Sequence, residues 1–256
     1  MMEKQNKCLV AIIASFIVSI GLIYPAFVEA EDASVQSLDS QALDSKDPYE
    51  SFNRLMFNFN EKFDSWILKP VALFYNKVMP EPLRKGINNF FNNVNNIPTI
   101  ANDLLQGHFY QATSDTWRLA INSTVGVLGL MDVASPLGLL SNNQDLGLTF
   151  AHWGYIHSNY LVLPFIGPMT VRDALAWPVN YQYLTLYPYI EPVSTRYEIY
   201  GFGVVAKRAE LLRFQSVMEK AALDKYVFVR DAYLQRRDYL IEQNKERDQS
   251  LGAVSP

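Results

Sequence analysis

Three groups of side chains have the types that could do chemistry. His152 and His157, in HWGYIH, stand five apart with no carboxylate between them. Such a pair neither shares a helix face nor matches the metalloprotease arrangement, which sets two ligands four apart, so no metal centre is read here. Gly201 to Ala206, GFGVVA, has the glycine spacing of a dinucleotide loop. No strand precedes it and no acidic-ended strand follows, so helix-packing glycine is the better reading. Arg230 and Arg237, in DKYVFVRDAYLQRRDY, share a helix face that flanks a stripe of Tyr226, Val229, Tyr233 and Leu240. They read as a solvated face with local ion pairs or, with Arg172 and Asp173, as an anion or partner contact. Neither G-x-S-x-G nor G-x-x-x-x-G-K-[ST] occurs. Serine-hydrolase chemistry and ATP hydrolysis therefore find no support, no cofactor is implied, and the chain is read as a non-enzyme.

The elements that would position these groups come from the hydrophobic pattern. The chain has 256 residues, a formal charge of -4 and 13% aromatic residues, with four Trp and fifteen Tyr. It is long enough for one full core and lacks a basic stripe for nucleic acid. Lys4 and Lys7 precede an apolar run from Leu9 to Val28, and Val28-Glu29-Ala30 offers a peptidase site. Residues 1–30 read as a signal peptide, which could also be retained as an anchor. The only cysteine, Cys8, lies ahead of that run. Residues 31–46 read as a flexible linker, 47–244 as a single all-α domain and 245–256 as a frayed polar tail.

Helices are expected over residues 48–67, 70–78, 82–92, 99–106, 109–125, 144–154, 170–181, 194–213, 214–223 and 224–243. The first, in DPYESFNRLMFNFNEKFD, starts with an Asp cap and Pro, then repeats Phe52, Met56, Phe59, Phe63 and Trp66 on one stripe. Asn53 and Asn60 fall on other faces, and the stripe reads first as a domain core. Thr124 to Leu140, TVGVLGLMDVASPLGLL, is uncharged except for Asp132 and too broken by Gly and Pro to span a bilayer. It is a bent apolar hairpin, either a core crossing or an exposed patch. In LPFIGPMTVRD an apolar turn leads to a helix that Thr170 can cap.

In their order, DPYESFNR with MFNFN, PEPLRKGINNF, NSTVG with GLMDVA, LPFIGPMTVRD and YVFVRDAYLQRRDY resemble the MlaA (VacJ) family of outer-membrane lipid-asymmetry proteins, from Asp47 to Tyr239. The resemblance implies a ring of helices lying in the periplasmic leaflet of the outer membrane around an amphipathic channel. It implies membership of a phospholipid transport system that removes lipid from the outer leaflet, beside a trimeric outer-membrane porin, and hands it to a soluble periplasmic carrier. A porin-associated scaffold that moves no lipid is the alternative. Phe52, Met56, Asn58, Phe59, Leu128, Met131, Leu137, Leu139 and Leu140 are then candidates for channel or bilayer contact. Burying a methylene is worth about 0.8 kcal/mol, so an acyl chain exposed to water costs roughly 10 kcal/mol and needs a covered path. Members commonly carry a lipobox, and the sequence departs there, with Cys8 ahead of the apolar run. Intact-mass analysis of the exported protein is accordingly expected to give a chain starting at Glu31 without an acyl group. A diacylglyceryl adduct or a retained Met1 overturns that expectation.

Overall fold

A computed structural model describes residues 47–254. Helices dominate: α1 (Glu50–Phe63), α2 (Lys69–Val78), α3 (Glu81–Val94), α4 (Asn96–Leu105), α5 (Phe109–Thr124), α6 (Leu146–His152), α7 (Val171–Val179), α8 (Val193–Ala221) and α9 (Lys225–Val254). Between α6 and α7 lies a two-stranded antiparallel hairpin, β1 (Tyr160–Leu163) with β2 (Gly167–Thr170), in which Tyr160 faces Thr170 and Leu163 faces Gly167. The all-α expectation holds, with this hairpin as the addition. The LPFIGPM turn is its tip. Thr170 Oγ1 accepts from Asp173 N–H at 3.2 Å, so the cap on α7 is as expected.

Several element boundaries differ from expectation for local reasons. α1 and α2 are one bent path, because Pro70 has no N–H to donate and the chain crosses residues 64–68 as a π-turn, with Lys69 N–H reaching Asp64 O. Arg208 on α8 grips the Asp64 carboxylate there through two bonds of 2.6 and 2.7 Å. Residues 193–221 are continuous where two helices were expected. α9 runs through the expected polar tail as far as Val254. Gly203 does pack helices, since a Cβ there would come within 3.0 Å of the Phe91 ring.

The opening helix is turned relative to the expected stripe. It starts at Glu50, and Asp47 is no cap: it lies buried, accepts from Asn53 Nδ2 at 2.7 Å and bonds the Tyr226 hydroxyl. Asn53 is the buried member of α1, at 0% exposure, while Phe59 is 42% exposed. The cause is the hairpin. Asn53 donates to Tyr160 O at 3.2 Å and accepts from Val162 N–H at 2.8 Å; Asn60, two turns on, donates to Leu163 O at 2.9 Å and accepts from Phe165 N–H at 2.7 Å. Each amide supplies the donor and acceptor of an absent third strand, so the free edge of β1 is closed by a helix. Around Asn53, Met56 and Phe57 pack on Tyr160, Val162 and Tyr226.

The arginines of α9 are likewise inside. Tyr226, Arg230, Tyr233, Arg237, Leu240 and Asn244 step by four and three along one face, and all but the half-buried Tyr233 are buried. Arg237 donates to Asp145 at 2.6 and 3.0 Å and to Asp173 at 2.6 Å, and Tyr233 donates to Asp173 at 2.7 Å. Arg172 reaches Asp173 at 3.3 Å and the carbonyls of Tyr155 and Ile156 at 3.0 Å. Arg230 bonds Asp231 at 2.9 Å and lies 3.5 Å from Asp47. The expected solvated face, or anion contact, is instead a set of internal pairs whose charges are already matched. Gly147 is there for space, because a Cβ would sit 2.1 Å from an Asp173 oxygen.

Two outcomes are expected in thermal or urea unfolding. Asn53→Leu leaves the Val162 N–H without its acceptor and takes one donor from the Asp47 carboxylate, and should cost about 2–4 kcal/mol, against about 1 kcal/mol for Asn60→Ala. Arg237→Met leaves Asp145 without its ion-pair partner and Asp173 with Arg172 alone, and, because the Asp145 side chain is 45% exposed, should cost roughly 2–3 kcal/mol, partly restored by Asp145→Asn with Asp173→Asn. Burial raises the Asp145 carboxyl, and the Arg237 charge and hydrogen bond outweigh it, holding the group below its ordinary range. A depressed carboxylate stabilises the fold above its unfolded value and loses that contribution as pH falls through the folded one. Wild-type stability should therefore drop below about pH 4, and the Arg237→Met variant should show a shallower drop.

Candidate functional site

The surface of this protein is organised by what its helices bury. Among the described residues 21 polar or charged side chains are buried against 14 hydrophobic ones, and those 14 are seven alanines, three leucines, one valine and three tyrosines, Tyr75, Tyr160 and Tyr226.

 Small or polar groups fill the interior, and the large apolar side chains are left outside.

α4 and α5 carry this inversion furthest. Asn96, Thr99, Asn102, Asp103 and Gln106 form the buried face of α4, and Asp115, Arg118 and Asn122 that of α5. Their amides bond in closed sets. Gln106 donates to Gln144 at 3.1 Å and to Thr149 at 3.0 Å, Gln144 donates to Asn244 at 2.8 Å, and Asn244 donates back to Gln106 at 3.0 Å. With that face turned inward, Leu104, Leu105, Phe109, Tyr110 and Trp117 are exposed, and so are Trp66, Trp153 and Trp177, which makes all four tryptophans surface residues.

The bent segment from Thr124 to Leu140 belongs to the same surface. Asp132, its single charge, accepts from Arg118 at 2.9 Å, from Asn122 at 3.1 Å and from the Ser135 hydroxyl at 2.6 Å. Burial works to raise this carboxyl, and the bonds from Ser135, Arg118 and Asn122 prevail, bringing it down to about 2. Asn122 Oδ1 also accepts from the backbone of Val133 and Ala134, at 2.9 and 3.0 Å. Because the polar groups hold the base of the loop, its apolar tips point away. Leu128 is 69% exposed, and Met131, Leu137 and Leu140 are exposed with it. Val127 and Leu128 have φ of +53° and +58°, a left-handed backbone that branched side chains avoid and that this base must hold.

Two apolar grooves lie elsewhere on the described residues, the second of them reaching the bent segment. One, of about 580 Å³, lies between Phe57 and Phe63 of α1, Phe165 at the hairpin tip, Leu211 and Phe214 of α8, and Phe228 of α9. The other, of about 550 Å³, runs between Phe90 and Phe91 of α3, Leu130 of the bent segment and Phe202 of α8. Phe165 meets Phe59 and Phe63 edge to face at 5.1 and 5.0 Å.

The residues singled out by sequence are therefore spread over distinct settings. Phe52 and Met56 are half-buried, and Met56 belongs to the packing around Tyr160. Asn58 is exposed, and Phe59 lies against the hairpin tip. Leu128, Met131, Leu137 and Leu140 come together on one exposed loop, whereas Leu139 is half-buried and its carbonyl accepts from Arg118 at 2.5 Å. Arg172, Asp173, Arg230 and Arg237 are internal. The exposed apolar faces of α4 and α5 were missed. Their signal was the spacing of Asn96, Thr99, Asp103 and Gln106, a polar stripe as regular as any apolar one.

Comparison with known proteins agrees with this geometry. The MlaA lipoprotein family matches residues 45–240. The "Intermembrane phospholipid transport system lipoprotein MlaA" of Escherichia coli is 33% identical over 199 residues, 76% of this chain and 78% of that protein. An uncharacterised protein of Rickettsia typhi is 33% identical over 204 residues, 80% of this chain and 81% of its own length. A solved structure described under "Structural basis for maintenance of bacterial outer membrane lipid asymmetry" superposes with a TM-score of 0.66 at 32% identity, covering 76% of this chain and 98% of that one. With five ordered motifs, a helical fold of the same shape and a match over most of its length, the chain belongs to the MlaA lipoprotein family.

Proposed function

We propose that this protein is the outer-membrane component of a phospholipid transport system, lying in the periplasmic leaflet and passing phospholipid from the outer leaflet toward a soluble periplasmic carrier. The observation that carries the reading is the inversion of its packing. A buried polar interior is bonded within itself, while large apolar side chains and all four tryptophans face outward. In water such a surface is costly, and in a leaflet it is the favourable arrangement, with tryptophan at the level of the headgroups. No helix among the described residues is long and apolar enough to cross a membrane. The proposed placement is a ring of helices within one leaflet, as the resemblance to the family implies. The relatives' printed role in phospholipid transport supports the same cargo.

The two grooves supply apolar cover for acyl chains, and the asparagines and charged groups of α3 and α8 supply a path for a headgroup. Asn88, Arg84 and Glu210 line a cavity of about 510 Å³ between those helices. An amphipathic lipid needs both surfaces in one passage, and the proposed channel runs along α3 and α8. With no nucleotide loop in the sequence, direction comes from the lipid imbalance or from the carrier. A trimeric porin in the same membrane is the proposed neighbour, holding the domain at the bilayer. Residues 1–30 serve export, and 31–46 link that segment to the domain.

Charged substitutions on the exposed loop test the reading. Leu128→Asp, Met131→Asp and Leu140→Asp should leave the unfolding midpoint in detergent nearly unchanged, because each side chain is outside the fold. At a lipid-facing position each charge costs up to about 3 kcal/mol, so clearance of surface-exposed phospholipid should fall in cells carrying these variants. Normal clearance with normal abundance would exclude this loop from the lipid path. Wild-type protein extracted in detergent should also carry phospholipid by mass spectrometry, and its absence would favour a porin-bound scaffold.

A further inference from the structure

Three residues far apart in sequence meet at one point. His108, at the start of α5, His152, at the end of α6, and Asp248, on α9, bring one ligand atom each to within 4.8 Å of one another. His108 Nε2 is 2.8 Å from one Asp248 oxygen, and His152 Nδ1 is 3.2 Å from the other. Two imidazoles and a carboxylate are a donor set that takes Zn²⁺ or a similar divalent ion. These separations approach the edge of about 3.3 Å that a tetrahedral shell of 2.0–2.1 Å bonds would have. A side-chain rotation closes the rest. A cavity of about 70 Å³ beside His152 and Asp248 has room for a bound water in the open position.

The state of His108 gives a second, independent reason. Its ring is 98% buried, and Nδ1 has no hydrogen-bond partner, although Asp103 Oδ1 lies 4.0 Å away. If the proton is on Nε2, it serves Asp248 and leaves a bare Nδ1 facing a carboxylate. If it is on Nδ1, it turns toward Asp103 and leaves the Nε2 lone pair facing the Asp248 carboxylate. With Asp103 ionised, neither neutral tautomer satisfies both sides, whereas a cation at Nε2 does, with Nδ1–H directed at Asp103 as the supporting carboxylate. Asn142 holds Asp103 through bonds of 3.1 and 3.2 Å. The other charges nearby are Asp115 beside Asp103, Arg247 on α9, and Lys245, whose ammonium is turned to Glu242 at 3.0 Å.

We propose that His108, His152 and Asp248 form a divalent-cation site, of Zn²⁺ chemistry, that staples the C-terminal part of α9 to α5 and α6. This is independent of the lipid-transport reading. Sequence spacing considered only His152 with His157 and rejected that pair, and His157 is indeed exposed and outside the cluster.

The test uses the full chain in detergent, stripped with chelator and titrated with ZnCl₂. Wild type should bind one Zn²⁺ per chain by elemental analysis after gel filtration, and its unfolding midpoint should rise. His152→Ala and Asp248→Asn, both at partly exposed positions, should bind at least ~100-fold more weakly and lose the midpoint rise. His157→Ala should behave as wild type. Co²⁺ should give an intense visible absorption in wild type and not in Asp248→Asn, a readout that does not depend on stability. Absence of Zn²⁺ binding in wild type, or binding unchanged in both cluster variants, would overturn the proposal. So would a difference between wild type and Asp248→Asn that follows pH alone with no response to Zn²⁺, since that identifies a protonated His108 held between two carboxylates.

Discussion

Arg237 is the point on which the arrangement depends. Its guanidinium is shared between Asp145, which caps α6, and Asp173, which lies in the first turn of α7. One cation on α9 thereby fixes where two other helices begin. Since α7 follows β2 directly, the hairpin is fixed with it, and through Asn53 and Asn60 so is α1. An ion pair of this kind adds little net stability when compared with apolar replacements of the same shape, but its loss leaves unpaired charge inside. Its contribution is to the placement of α6 and α7, whose first turns it holds together from α9.

That constraint explains the composition of the interior. Once a helix buries asparagine, glutamine and charged groups, each must find a partner, and a misplaced turn leaves several unsatisfied at once. The amides of Gln106, Gln144 and Asn244 close on one another, and Asp132 is reached by three side-chain donors and by the Ser135 backbone N–H. Such a scaffold does not rely on exclusion of water by an oily core. It can therefore leave leucine, phenylalanine and tryptophan on its outside, where an apolar solvent would receive them. The bent segment is the clearest case, since its polar base is tied to α5 and only its tips are apolar.

Element types were readable from the sequence to a large extent, and burial was not. The breaks at Pro80, Gly107 and Asp145, and the Thr170 cap, are local signals and fall where the chain changes direction. The facing of α1 could not be read in this way. A rule that places apolar residues inside turns Phe59 inward and Asn53 outward, and the hairpin edge, about a hundred residues downstream, demands the reverse. The same rule made Arg230 and Arg237 surface residues, although their seven-residue separation already placed them with Tyr226, Tyr233 and Leu240 on one face. Pairings over long sequence distance, such as Arg208 with Asp64, leave no local trace.

The inverted packing also bears on how such a domain could move a lipid without an energy source of its own. A passage for an amphipathic molecule must offer apolar and polar walls side by side, and it must not collapse when empty. Helices held together by apolar contacts alone would close such a gap, because closure buries more surface. Here α3 and α8 meet at Phe91 and Gly203, with polar groups such as Asn88 and Glu210 lining the neighbouring cavity. Groups that are solvated by water or by a headgroup gain little from closing on each other. The spacing of the walls is then set by the bonded interior behind them, which on the proposed function would let a lipid enter and leave without repacking the fold.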